Sequence, residues 1–135
     1  MSGVYASAVQ SAFSGGMDLT TGTITAYLVT GNYTPNYGTH SLLSDVPAGD
    51  RVASTTLSNV SLSIDGTDVR FTADSAVFTA VTGDPVTQVV VADDAGLLCC
   101  IDDFGAGPGN STFPPNGSDV TINWASSVFY TRLPA

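Results

Sequence analysis

The sequence predicts an all-β fold, an antiparallel β-sandwich or jelly-roll-like barrel with one short N-terminal helix. Three observations carry that expectation. All twelve acidic residues of the 135-residue chain are Asp, and neither Glu nor Lys, both good helix formers, occurs. Thr, Val and Ser are abundant, and Thr and Val are stiff at χ1 and fit a pleated strand. Short apolar–polar runs recur between Gly, Pro, Asn and Asp turn signals, as they do in sandwiches and barrels.

The elements follow in order. "VYASAVQSAF" places apolar residues at 4, 8, 9 and 13, close to a helical stripe, and Gly15-Gly16 ends it; a helix is expected over about residues 3–14. In "TGTITAYLVTG", Ile24, Ala26 and Leu28 share one strand face, with Thr23, Thr25 and Tyr27 on the other. Residues 31–50 lack periodicity and read as a long loop, a length that is usually functional or mobile. "RVASTTL" follows, and then Val60, Leu62 and Ile64 alternate with Ser61 and Ser63 up to the hairpin signal Asp65-Gly66. Val69 and Phe71 continue the second arm of that hairpin. "SAVFTAV" and "VTQVVVAD" flank a break at Gly83-Asp84-Pro85, and the run Val89-Val90-Val91 suggests a strand covered on both faces. "GLLCCID" pairs back across residues 93–96, a second Gly/Pro-rich loop spans 105–118, and "VTINW" and "SVFYTRL" finish the chain. This makes about nine strands in one domain over residues 17–135, behind an N-terminal segment at 1–16.

Charge narrows the partners. Three Arg against twelve Asp give a net charge of −9. Counterion release from a phosphate backbone needs Lys and Arg, so nucleic acid is not an expected partner, and an anionic membrane would repel the surface. No apolar run approaches the ~20 residues of a spanning helix. The stretch "MSGVYASAVQSAFSGG" has neither the basic nor the long apolar region of a signal peptide, so the chain is expected to be intracellular at synthesis.

No catalytic, cofactor or metal site is expected. His40, the only histidine, lies in "YTPNYGTH" without a nucleophile-elbow sequence around any serine, and reads as a loop residue whose ring nitrogens bond nearby backbone. Asp93-Asp94 and Asp102-Asp103 lack calcium-loop spacing, and Asp93-Asp94-Ala95-Gly96 reads as a turn. Adjacent Cys99 and Cys100 point to opposite strand faces and are expected as reduced thiols, with no second Cys or His group to make a metal site. The tripeptide at 103–105 matches a kinase motif without its other parts, and the sequons at Asn32, Asn59, Asn110 and Asn116 are incidental to a Ser/Thr-rich chain.

The order of segments carries more than any one of them. A short helix ending in Gly, then "TITAYLVT", "YTPNYGTH", "LLSDVP", "LSNVSLSIDGTDVRFTADSAVFTAV", "TQVVVADDAG", "LLCCIDDFG" and "VTINW" follow one another over nearly the whole chain. In that order it resembles the head decoration, cement or minor capsid proteins of tailed bacteriophages. The loop at 105–118 and the lack of Glu and Lys depart from the family pattern. The resemblance implies a non-enzymatic virion protein on the outer capsid surface, partnered by the major capsid protein. It implies a symmetric homo-oligomer, a trimer first and a dimer second. Residues 1–16 are then the expected attachment arm, with Val4, Val9 and Phe13 as contacts beside Tyr33, Tyr37 and Phe113 of the long loops. The alternative is a carbohydrate- or receptor-binding β-sandwich of a tail or fibre, served by the loop aromatics Tyr33, Tyr37 and Phe113.

Overall fold

The computed structural model describes residues 3–16, 22–36, 38–65, 68–102, 114–122 and 129–132. It is mostly β, with antiparallel sheets and one short N-terminal helix, α1, at Ala6–Ser14. The loop at 105–118 falls largely outside the described residues, as do Tyr37 and Phe113.

Strands β1 (Gly3–Val4), β2 (Thr25–Thr30), β3 (Arg51–Thr56), β7 (Val86–Ala92) and β8 (Leu98–Asp102) make a five-stranded sheet in the order β1-β8-β7-β2-β3. Strands β4 (Ser61–Asp65), β5 (Asp68–Thr72) and β10 (Phe129–Arg132) form a second sheet, ordered β10-β5-β4. Strands β6 (Ala76–Phe78) and β9 (Val120–Ile122) pair as a third. β10 lies beside β1 and β8, and β6 beside β3, so the small sheets extend from opposite edges of the large one.

The local chemistry explains most of these elements. Ile24, just before β2, and Ala26 and Leu28 on it are buried, as their alternation requires. Val89, Val90 and Val91 of β7 are all buried, so this strand, flanked by β2 and β8, is covered on both faces. The register Asp65↔Asp68 makes β4 and β5 the expected hairpin. Tyr5, Leu28, Val46, Phe71, Phe78, Val86 and Leu98 meet in one core.

The N-terminus differs from expectation. The helix begins at Ala6 rather than near residue 3, because Gly3 and Val4 pair with Ile101 and Cys100 of β8. The edge of β8 offers unpaired backbone groups, and pairing them outweighs an extra half-turn of helix. Tyr5 then stands in extended conformation as the helix N-cap, its N–H donating to the Cys99 carbonyl at 3.0 Å. At the other end Gly15 takes φ +83°, and the Gly16 N–H closes on the Ser11 carbonyl at 2.7 Å. Tyr5 and Ala8 are core residues, so this part of the segment 1–16 belongs to the fold instead of standing apart as an arm.

Ala80 carries a local strain that yields a prediction. It sits at φ +50°, held by its N–H on Asp119 Oδ1 at 2.9 Å and by paired bonds of Val81 with Gly117 and Ser118. The left-handed region costs an alanine about 1–2 kcal/mol. Ala80→Gly removes that strain but frees the unfolded chain by about 0.4–1 kcal/mol. The net expectation is a stabilisation of up to about 1 kcal/mol, read as a rise of a few degrees in Tm. A lower Tm would show that Ala80 is unstrained.

Candidate functional site

The long loop after β2 is stitched to the sheet rather than left free. Gln88, buried on β7, donates through Nε2 to the carbonyls of Thr30 and Tyr33, each at 2.9 Å. Asn36 Oδ1 accepts from the N–H groups of Gly38 and Thr39, both at 3.1 Å, which fixes the turn. Asp45 Oδ2 accepts from Ser41 and Leu42 N–H at 2.9 and 3.0 Å. Further along, Leu43 N–H donates to Gly96, and Leu98 N–H donates to Ser41. Short 3-10 turns at Leu43–Asp45 and Ala48–Asp50 carry the chain into β3.

His40 closes this loop. Its Nδ1 lies 3.2 Å from the Asn36 N–H and 2.9 Å from the Tyr33 hydroxyl. A backbone N–H can only donate, so Nδ1 is the bare nitrogen and the ring proton sits on Nε2. The Tyr33 hydroxyl therefore donates to Nδ1 and accepts from Tyr5, 2.7 Å away. The Tyr33 and His40 rings stack with centroids 5.6 Å apart. A chain of three side chains thus runs from the N-cap of α1 to the tip of the loop. His40 bonds nearby backbone, as the sequence suggested, and its other Nδ1 partner is a buried tyrosine that the sequence did not single out for this role.

Two ionisations follow from these contacts. Burial holds the Tyr33 phenol above its ordinary value, against the lowering effect of the Tyr5 hydrogen bond; the Asp45 charge adds to the rise. The folded state thus holds this proton more tightly than the unfolded state. Its contribution to stability is complete below the ordinary phenol value of about 10, and is lost as pH rises through the higher folded value. Alkaline titration of the phenolate absorbance should show one fewer late-ionising tyrosine in Tyr33→Phe than in the parent. Loss of a normally ionising tyrosine instead of a late one would contradict the burial of Tyr33. The Ser41 and Leu42 N–H groups hold the Asp45 carboxyl below its ordinary value, so that contribution is present above the ordinary carboxylate range and fades as pH falls through the lower folded value.

The six expected contact residues separate. Val9 and Phe13, one helical turn apart, lie on the outward side of α1 and are 41% and 86% exposed. The Val4 side chain lies outside the described residues, as do Tyr37 and Phe113. Tyr33 is buried, which removes it from the surface where the sequence placed it. Its ring is stacked on His40 and its hydroxyl is spent on two partners, so it has no free face for a sugar or a protein.

Sequence reasoning missed other exposed apolar positions. Leu62 and Ile64, on one face of β4, are 44% and 81% exposed. Their alternation marks a face without saying whether anything covers it. Val77 of β6 and Leu42 of the loop are also exposed.

The remaining candidates have local explanations. Asp93 Oδ1 accepts from Ala95 and Leu97 N–H, which supports the expected turn at residues 93–96. Cys99 is a free, buried thiol. Among the described residues, no three His, Cys or Asp side chains gather to hold a metal ion, and no helix is long and apolar enough to cross a membrane. No protein-family model matches the chain, and no curated protein is significantly similar to it.

Proposed function

We propose that this protein is a non-enzymatic structural component of a tailed-phage particle, bound to the outer capsid surface and bridging capsid subunits. The observation that carries the reading is the outward stripe of α1. Val9 and Phe13 stand exposed on a helix without a charged side chain, while the other side of that helix is fixed to the core through Tyr5 and Ala8. An exposed phenylalanine on a rigid mount is a suitable anchor for a protein partner. The ordered resemblance to head decoration proteins names that partner as the major capsid protein. A net charge of −9 favours the outer face over the DNA-filled lumen. Action at lattice symmetry axes favours a homotrimer, with a dimer second.

The carbohydrate-binding alternative is weakened by the inward position of Tyr33. The test is co-sedimentation with empty heads assembled from the major capsid protein encoded alongside this chain. Saturable binding at a fixed number of copies per head is expected. Sedimentation with tails or host cells, and not with heads, would overturn the reading.

A further inference from the structure

We propose that His40 is an acid-sensitive latch: its neutral ring ties Asn36 to Tyr33, and protonation of Nδ1 releases the tie. Two hydrogen bonds converge on that one nitrogen, from the Asn36 N–H at 3.2 Å and from the Tyr33 hydroxyl at 2.9 Å. Protonated, Nδ1 has no lone pair left and can only donate. The Asn36 N–H, which cannot become an acceptor, then faces another N–H and must let go. The Tyr33 hydroxyl can turn round and accept. Its bond with Tyr5 must then reverse, or its own proton loses its acceptor. Both bonds exist together only while the ring is neutral, and the pair is lost as falling pH puts a proton on Nδ1.

The surroundings leave this titration to the ring. Imidazole is the side chain whose ordinary charge change lies between about pH 5 and 8, and the chain has no second histidine. His40 is only half-buried, so the released ring can be solvated. Toward the core stand Tyr33 and, behind it, Tyr5. Burial holds the Tyr33 phenol above its ordinary value, so it stays protonated throughout that range. On the following turn is Asp45, whose carboxyl the Ser41 and Leu42 N–H groups hold below its ordinary value. It stays charged, keeps those two bonds, and gives the released imidazolium an opposite charge. Asp93 and Asp94 lie on the turn that meets this loop through Gly96 and Leu97. Asp93 is spent on its own turn, and Asp94 is exposed. Release therefore stays local to His40, Asn36 and Tyr33.

The experiment follows the ring nitrogens and backbone amides of the intact protein by NMR, from about pH 8 down to about pH 4.5. At the alkaline end the ring should be the Nε2–H tautomer. As the ring takes its second proton, the Asn36 amide should shift with the same midpoint. Its exchange with solvent, corrected for the intrinsic rate, should quicken roughly tenfold, as the loss of one hydrogen bond implies. His40→Asn places an amide oxygen near the position of Nδ1 and cannot titrate, so the Asn36 amide should stay protected across the range. His40→Phe keeps a ring against Tyr33 without an acceptor, and should leave that amide unprotected at every pH. The proposal is overturned if the neutral ring carries its proton on Nδ1. It is overturned as well if the parent ring becomes charged while the Asn36 amide keeps its shift and protection, a result that decides the matter even if neither variant folds. It is equally overturned if folded His40→Asn loses that protection at the same pH as the parent. None of these outcomes depends on binding to heads.

Discussion

Replacing Tyr5 by Ala is expected to destabilise the protein by about 3–5 kcal/mol, the range for truncating a large buried aromatic. Tyr5 is fully buried, and it joins three parts of the molecule. Its N–H reaches the Cys99 carbonyl of β8, its backbone caps α1, and its hydroxyl meets Tyr33 at the root of the His40 loop. Truncation leaves a cavity and also strips the Tyr33 hydroxyl of its donor. With total stabilities of about 5–15 kcal/mol, the loss is a large fraction of the whole. Thermal unfolding followed by circular dichroism should show Tm lower by roughly 10–20 °C. Tyr5→Phe keeps the ring and should cost only about 1 kcal/mol. A Tyr5→Ala protein with parental Tm would mean that residues 3–8 are not part of the core. By the same reasoning, deleting residues 1–14 should damage the fold, so attachment is better probed by single changes on the outward side of α1.

Phe13→Asp is the second large effect, and it falls on binding instead of stability. At 86% exposure the ring contributes little to the isolated fold, so Tm should move by no more than a degree or two. If the ring is covered on the capsid, its burial contributes roughly 2–3 kcal/mol, and removing it should weaken head binding about thirty- to 150-fold. The new carboxylate adds an unpaired charge at the contact and deepens the loss. Val9, already more than half covered by its own chain, should cost less when changed to Ser. Parental head binding by folded Phe13→Asp would exclude this side of α1 as the anchor.

The all-β character, nine of the strands and the β4–β5 hairpin were legible because each rests on local signals: alternation, turn residues and the absence of good helix formers. The two-residue strand Gly3–Val4 was not legible, since its cause is the open edge of β8, a hundred residues away in sequence. The division into three sheets was hidden for the same reason. The quiet role of His40 could be anticipated from the lack of a nucleophile motif, but its link to Tyr33 and Tyr5 could not. That link depends on long-range packing that brings the loop against the N-cap of α1. Tyr33 read as a loop aromatic and therefore as surface; the buried amide of Gln88 holds the loop inward and reverses that placement.

The central claim is that this chain sits on the outside of a phage head with α1 turned toward the shell. Cryo-electron microscopy of heads with and without the protein tests it most directly. The account predicts added density on the outer surface only, arranged about a lattice symmetry axis, with the Phe13 side of α1 against the capsid protein. Density confined to the tail or the lumen, or an outer copy whose α1 faces solvent, would contradict it.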